Sequence, residues 1–148
     1  MSDPLRAKAL QYLARREYSR AELAQKLAQF TEDAGALEAL LADFTTQNLL
    51  SDRRYAASRV GARAQRYGRL RLKQELEAAG VAADIIAAVL PAPETEAAQC
   101  RTVWTRKFGV LPASVKERAK QLNFLRYRGF SAEAIRRVLH SGNEGDDA

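Results

Sequence analysis

The densest chemistry in this 148-residue sequence is a run of cations. From Asp52 onward come Arg53, Arg54, Arg59, Arg63, Arg66, Arg69, Arg71 and Lys73, with no acid among them. Arginine offers a planar fork of donors that fits phosphate and carboxylate oxygens, so the chemistry of such a run is polyanion binding and not bond breaking. On a helix that turns about 100° per residue, Arg59, Arg63 and Arg66 share a narrow stripe. Each neighbours another Arg or an uncharged residue, so ion pairs within the helix do not account for them. Tyr55 and Tyr67 flank the stripe, suited to stack on bases or on a partner's side chains. A solvated face, with Arg chosen for helix propensity, is the competing explanation. Lys116, Lys120, Asn123 and Tyr127 form a weaker polar stripe at helical spacing. Arg126, Arg128, Arg136 and Arg137 fall near predicted helix C-termini, where the helix dipole alone favours positive charge.

Residues that could break bonds are scarce. His140 is the sole histidine and Cys100 the sole cysteine, and neither has a nucleophile, base or orienting partner close in sequence. His140 closes a predicted helix, where a partial charge suits the dipole; Cys100 packs as a small hydrophobe. No glycine-rich phosphate loop and no His/Cys set at metal-ligand spacing occurs. The sequence therefore assigns no catalytic, cofactor or metal residue, and the chain reads as a binding protein and not an enzyme.

The formal charge of +6 is unevenly spread. Residues 1–50 carry −1, residues 51–93 carry +4, residues 94–140 carry +6, and the tail 141–148 carries −3 through Glu144, Asp146 and Asp147. A polyanion, or an assembly containing one, is the partner this distribution suits. No run approaches the roughly 18 apolar residues of a membrane span, and the first residues lack the apolar segment of a secretory signal. A lone cysteine fits a reducing compartment. A cytoplasmic monomer is expected.

The elements that must hold these residues are helices. Ala, Leu, Arg, Glu and Gln dominate, all strong helix formers, and no segment alternates as a strand would. A shift of 49 superposes the sequence on itself twice. Tyr18 falls on Tyr67, Leu23 on Leu72, and Leu27 on Leu76 and then Leu125. Leu37, Leu40 and Leu41 fall on Ile86, Val89 and Leu90, then on Ile135, Val138 and Leu139. Gly80 falls on Gly129 and Tyr55 on Trp104. Such a period marks stacked helical units that each lean on a neighbour. The units are 1–50, 51–93 and 94–140, followed by an acidic tail over 141–148 expected to be disordered.

Each unit reads as three helices, at about 4–16, 20–30 and 33–47, then 52–66, 69–79 and 82–90, then 94–108, 115–128 and 132–140. Asp3-Pro4 opens the first. Ser19 with Glu22 and Ser114 with Glu117 are capping boxes. Gly80 and Gly129 are left-handed C-caps, and Pro91-Ala92-Pro93 marks a join. Leu23, Leu27 and Phe30 share an apolar face, while Cys100, Trp104 and Phe108 line another. The expected fold is all-α: three tandem three-helix repeats in an elongated, curved array.

Four segments in order also resemble a known family. Asn48-Leu49-Leu50-Ser51-Asp52-Arg53-Arg54-Tyr55-Ala56 resembles the "GLLDDxRFA" signature of the RecX regulatory proteins. Arg59 to Arg63, followed by Gln74-Glu75-Leu76, looks like that family's basic helix and its "IxxEL" sequel. Arg15 to Ser19 with Glu22-Leu23 and Lys26-Leu27 is similar to its opening unit, and Phe124 to Ser131 matches "FLxxRGFS". Departures are Asn48 where glycine is common, Ser51 for an acid, Tyr55 for Phe, and Phe30-Thr31 for a Lys-Gly stop. The resemblance implies a protein that binds the filament of RecA recombinase on single-stranded DNA and modulates its ATPase and strand exchange, inhibition being the favoured sign. A RecA-independent, sequence-nonspecific nucleic-acid-binding repeat protein is the alternative.

Overall fold

A computed structural model describes residues 3–140, and among these residues there are nine α-helices and no strand. The acidic residues Glu144, Asp146 and Asp147 lie outside the described residues. The helices are α1 (Pro4–Arg15), α2 (Arg20–Ala28), α3 (Ala34–Thr46), α4 (Asp52–Arg63), α5 (Arg69–Ala78), α6 (Ala83–Val89), α7 (Pro93–Lys107), α8 (Val115–Tyr127) and α9 (Ala132–Leu139). Three sets of three are present; α1 and α3 pack on α2 in the first set, and α7, α8 and α9 pack on one another in the third.

Sequence-local chemistry starts and stops these helices. Asp3 accepts from the backbone N–H groups of Leu5 and Arg6, and Pro4 opens α1 with no amide to satisfy. Ser19 and Glu22 form the full reciprocal box at the start of α2. Ser114 differs from the expectation. Its Oγ accepts from Glu117 N, but the Glu117 carboxylate reaches back one residue further, to Ala113 N at 2.7 Å. Three helices end in the same way, on Asn48, Gly80 and Gly129, with φ of 62°, 81° and 84°. At Gly129 the amide donates to Arg126 O, and the amide of Phe130 donates to Leu125 O, closing the orphan carbonyls of α8. Asn48 repeats this pattern because asparagine tolerates the left-handed region better than other non-glycine residues.

The 49-residue register is also the packing register. Leu23 and Leu72, Leu27, Leu76 and Leu125, Ile86 and Ile135, and Tyr55 and Trp104 are all buried. Phe30 is not on this face. α2 ends at Ala28 and the chain turns through Gln29, which leaves Phe30 48% exposed with Lys8 Nζ 4.9 Å from its ring centre.

The described residues form two compact units, 3–59 with 76–89 and 60–75 with 90–140. In the first, Ala9, Tyr18, Leu23, Leu27, Leu40, Leu41, Phe44 and Leu50 make the core. In the second, Cys100, Val103, Trp104, Leu125, Phe130, Ile135, Val138 and Leu139 do so, with Trp104 Nε1 donating to buried Gln121 Oε1 at 2.8 Å. Each unit holds one join between consecutive helix sets, and the two joins have related chemistry.

In the first unit, Ser19 Oγ donates to Ala79 O at 2.7 Å, and Arg20 N donates to Asp52 Oδ1 at 2.7 Å. A methyl group on Gly80 would stand 2.7 Å from Ala21 Cβ. In the second unit, Gly68 N donates to Arg128 O at 2.9 Å, and Leu70 N donates to Gly129 O at 3.1 Å. A methyl group on Gly68 would stand 2.3 Å from Phe130 Cα, so no other residue fits there without opening the join. Here the carboxylate is Glu96, 2% exposed, which accepts from Arg69 N (2.9 Å), Ser131 N (3.1 Å) and Ser131 Oγ (2.6 Å). The first amides of α2 and α5 would otherwise be unsatisfied in a poorly solvated place. A carboxylate from the next helix set satisfies each.

Candidate partner-binding surface

Arg53, Arg54 and Arg59 belong to the first compact unit. Arg54 is engaged by its own chain: its Nε donates to Glu17 Oε1 at 2.9 Å and its Nη1 to Asn48 Oδ1 at 3.0 Å. It ties the start of α4 to the turn before α2. Arg59 is half-buried, whereas Arg53 is exposed beside Asn48, Ser51 and Asp52 on the wall of a cavity of about 350 Å³.

Arg63, Arg66, Arg69, Arg71, Lys73, Lys116 and Lys120 belong to the second unit. Of these, Arg69 is built into the join, its guanidinium donating to the Pro91 carbonyl. Lys73, Lys116 and Lys120 are exposed on α5 and α8. Arg66 is exposed but does not extend the α4 stripe as a helical residue. The helix ends at Arg63, and residues 64–66 form a tighter turn in which Arg66 N and Tyr67 N both donate to Arg63 O. The cause is Gly68, whose backbone must leave the helix to reach Arg128 O.

Around Tyr67 the second unit assembles cations that are far apart in sequence. Arg63 and Arg71 both approach Glu75, at 2.6 and 3.8 Å, so Arg63 does have an acidic partner, on α5 and not within its own helix. The carboxylate between them offsets their mutual repulsion. Their guanidinium carbons sit 4.5 and 4.3 Å from the Tyr67 ring centre, and that of Arg128 sits 5.3 Å away. The electron-rich ring faces attract all three. Arg128 also lies 5.2 Å from the Phe124 ring centre, Lys107 Nζ lies 5.4 Å from it, and Arg71 lies 6.0 Å from the Tyr127 ring centre.

Next to Phe124 opens a cavity of about 270 Å³ lined by Arg66, Val103, Arg106, Lys107, Phe124 and Arg128. No carboxylate lines it, and among the described residues none of its four cations forms an ion pair. Sequence reasoning gave Arg106 and Lys107 no role and explained Arg128 by the helix dipole. Arg128 does close α8, but it is the Gly68–Arg128 backbone bond that carries it to Tyr67. Pairing the second helix of one repeat with the second helix of the next was the signal that would have found it.

The remaining reactive groups are packed away. Burial, with the Glu96 carboxylate nearby, pushes the Cys100 thiol up to about 12, so it is neutral at ordinary pH. His140 Nε2 lies 2.8 Å from Arg118 Nη2. A guanidinium can only donate, so Nε2 is the accepting atom of this contact. Arg136 and Arg137 both bind Glu133, holding its carboxyl below the usual range. Among the described residues no three His, Cys, Asp or Glu side chains group as metal ligands.

Models of the three RecX three-helix domains match this chain, the first over residues 6–34, the second over 51–90 and the third over 94–139. The chain is 44% identical over 144 residues to the regulatory protein RecX of Leptothrix cholodnii, covering 97% of this chain and 92% of that protein. It is 41% identical to the regulatory protein RecX of Herminiimonas arsenicoxydans, over 97% of this chain and 95% of that one. In fold it is similar to the crystal structure of RecX from Lactobacillus salivarius, with a TM-score of 0.82 and 95% of each chain covered at 18% identity.

Proposed function

The chain belongs to the RecX family of regulatory proteins, and from that premise we propose that it binds the filament RecA forms on single-stranded DNA and inhibits its ATP hydrolysis and strand exchange. The observation that carries this reading is the near-complete match to proteins named for regulation. The second unit adds a surface whose cations are not neutralised by the chain itself, as a polyanionic assembly requires. The protein acts in the cytoplasm, where such filaments form, by binding and not by chemistry of its own.

Inhibition follows from what filament turnover needs. Hydrolysis and exchange both require neighbouring filament subunits to move. A helical protein held against several of them adds contacts that one filament state gains and the others lose, and a ligand shifts an equilibrium by that difference in affinity.

The test is a titration into preformed RecA filaments with ATP hydrolysis as readout. Hydrolysis should fall while the protein is still far short of covering the DNA. Loss of activity only at lattice saturation would mean simple competition for DNA, the behaviour of a RecA-independent nucleic-acid-binding protein. That second reading has an observation of its own in its favour, the alternation of cations and aromatics around Tyr67.

A further inference from the structure

The contacts in the second unit link into one ladder: Lys107, Phe124, Arg128, Tyr67, Arg71 and Tyr127, cation and ring in strict alternation. The rings come from three places, the turn after α4 and two points on α8. At one end is the 270 Å³ cleft with its four cations and no acid. At the other end is Tyr127, 79% exposed, with the Arg71 guanidinium 6.0 Å from its ring centre. Like charges converging on one cleft repel one another unless an anion joins them.

We propose that this ladder and cleft form a binding track for the backbone of single-stranded nucleic acid. A phosphodiester sits in the cleft against the Lys107 ammonium and against Arg66, Arg106 and Arg128, whose planar guanidinium forks match phosphate oxygens. An adjoining base stacks on the open face of Tyr127. Tyr67 and Phe124 hold guanidinium groups in place, since cations already cover their faces. A ligand in which phosphates alternate with flat bases suits a surface in which cations alternate with rings. An acidic peptide would use the cations but leave Tyr127 without a role. Duplex DNA keeps its bases stacked inside and offers none to Tyr127. The proposal rests on the reading that the partner filament contains single-stranded DNA, and it names which face of this chain meets that strand.

The experiment measures binding of the full chain to a fluorescent oligothymidylate, without RecA, over a range of salt concentrations. The double variant Arg66→Gln/Arg106→Gln alters two cations that form no ion pair, so circular dichroism should match the wild type. Each lost phosphate contact should reduce the slope of log affinity against log salt by about 0.7, roughly 1.4 for the pair. Tyr127→Ala should weaken binding by about fivefold or more while leaving the salt slope unchanged. Wild-type affinity and slope in the double variant would overturn the proposal. So would an unaltered affinity in Tyr127→Ala, since an anion held by charge alone, such as an acidic peptide, would then be the better ligand. The same variants assayed on RecA filaments separate this site from the regulatory reading. If wild-type protein inhibits RecA while the double variant still binds oligothymidylate normally, the site alone is wrong. If the variants lose oligothymidylate binding and wild-type protein leaves RecA unaffected, the site stands and the regulatory reading fails.

Discussion

Replacing Glu96 by alanine should open the join in the second unit. The carboxylate is 2% exposed and accepts three hydrogen bonds, from Arg69 N, Ser131 N and Ser131 Oγ. Bonds to a charged group contribute about 1.5–3 kcal/mol each, but their sum overstates the effect. The alanine also removes the cost of burying a charge, and Ser131 Oγ keeps its bond to Ala134 N. What remains is the loss of acceptors for two backbone amides that no other group satisfies. Breaking a buried charged network of this kind costs about 3–5 kcal/mol. That is a large part of the roughly 5–15 kcal/mol that holds a domain folded. At about 2–4 °C per kcal/mol for a chain of this size, the melting temperature should fall by about 6–20 °C. Glu96→Gln keeps one acceptor oxygen and should fall between alanine and wild type. Thermal and urea melts followed by circular dichroism give the magnitude, and hydrogen exchange at Arg69 and Ser131 gives the location. A loss below about 1 kcal/mol, or unchanged protection of those two amides, would refute the role given to this carboxylate.

Two glycines should respond in opposite directions. Gly61 is an exposed interior residue of α4 with nothing within 4 Å of a prospective methyl, so Gly61→Ala should stabilise by about 0.8–1 kcal/mol through helix propensity. Gly68→Ala would push a methyl into Phe130 backbone atoms at 2.3 and 2.4 Å and should destabilise by several times that amount in the same melts. Cys100 should resist alkylation at about pH 8 until the protein unfolds, because its thiol stays neutral. Its raised value also fixes a sign. The contribution to stability is complete below the unfolded value near 9.0 and declines as pH rises towards about 12, and Cys100→Ala should remove that part of the alkaline loss.

Much of the fold was legible because its determinants are local or periodic. Asp3, Ser19, Gly80 and Gly129 cap helices through neighbours within a few residues, and the 49-residue shift aligned Leu27, Leu76 and Leu125, all of which are buried. The failures have a common physical origin. Arg66 lies beyond α4 because Gly68 is drawn to Arg128, a contact 60 residues away. The period could not locate Glu96 as the counterpart of Asp52, since a shift of 49 from Asp52 lands on Arg101 and the equivalent carboxylate is offset along α7. Charge identity was readable, but charge availability was not. Arg54 and Arg69 look the same in sequence as Arg53 and Arg66, yet Glu17 and the Pro91 carbonyl occupy them. The cleft at Arg106, Lys107 and Arg128 depends wholly on how the second and third helix sets stack.

Recognition of the RecA filament, and not of its DNA alone, is what the proposed function requires of this protein. It is tested most directly by the anisotropy of the labelled protein against RecA-coated and bare single strands of equal length. The measurement should be made at a salt concentration just high enough to abolish binding to the bare strand, where phosphate contacts have lost their counterion advantage. Persistent, saturable binding to the coated strand is the result expected. Loss of both signals at the same salt concentration would contradict the claim and leave a protein that binds nucleic acid without regard to RecA.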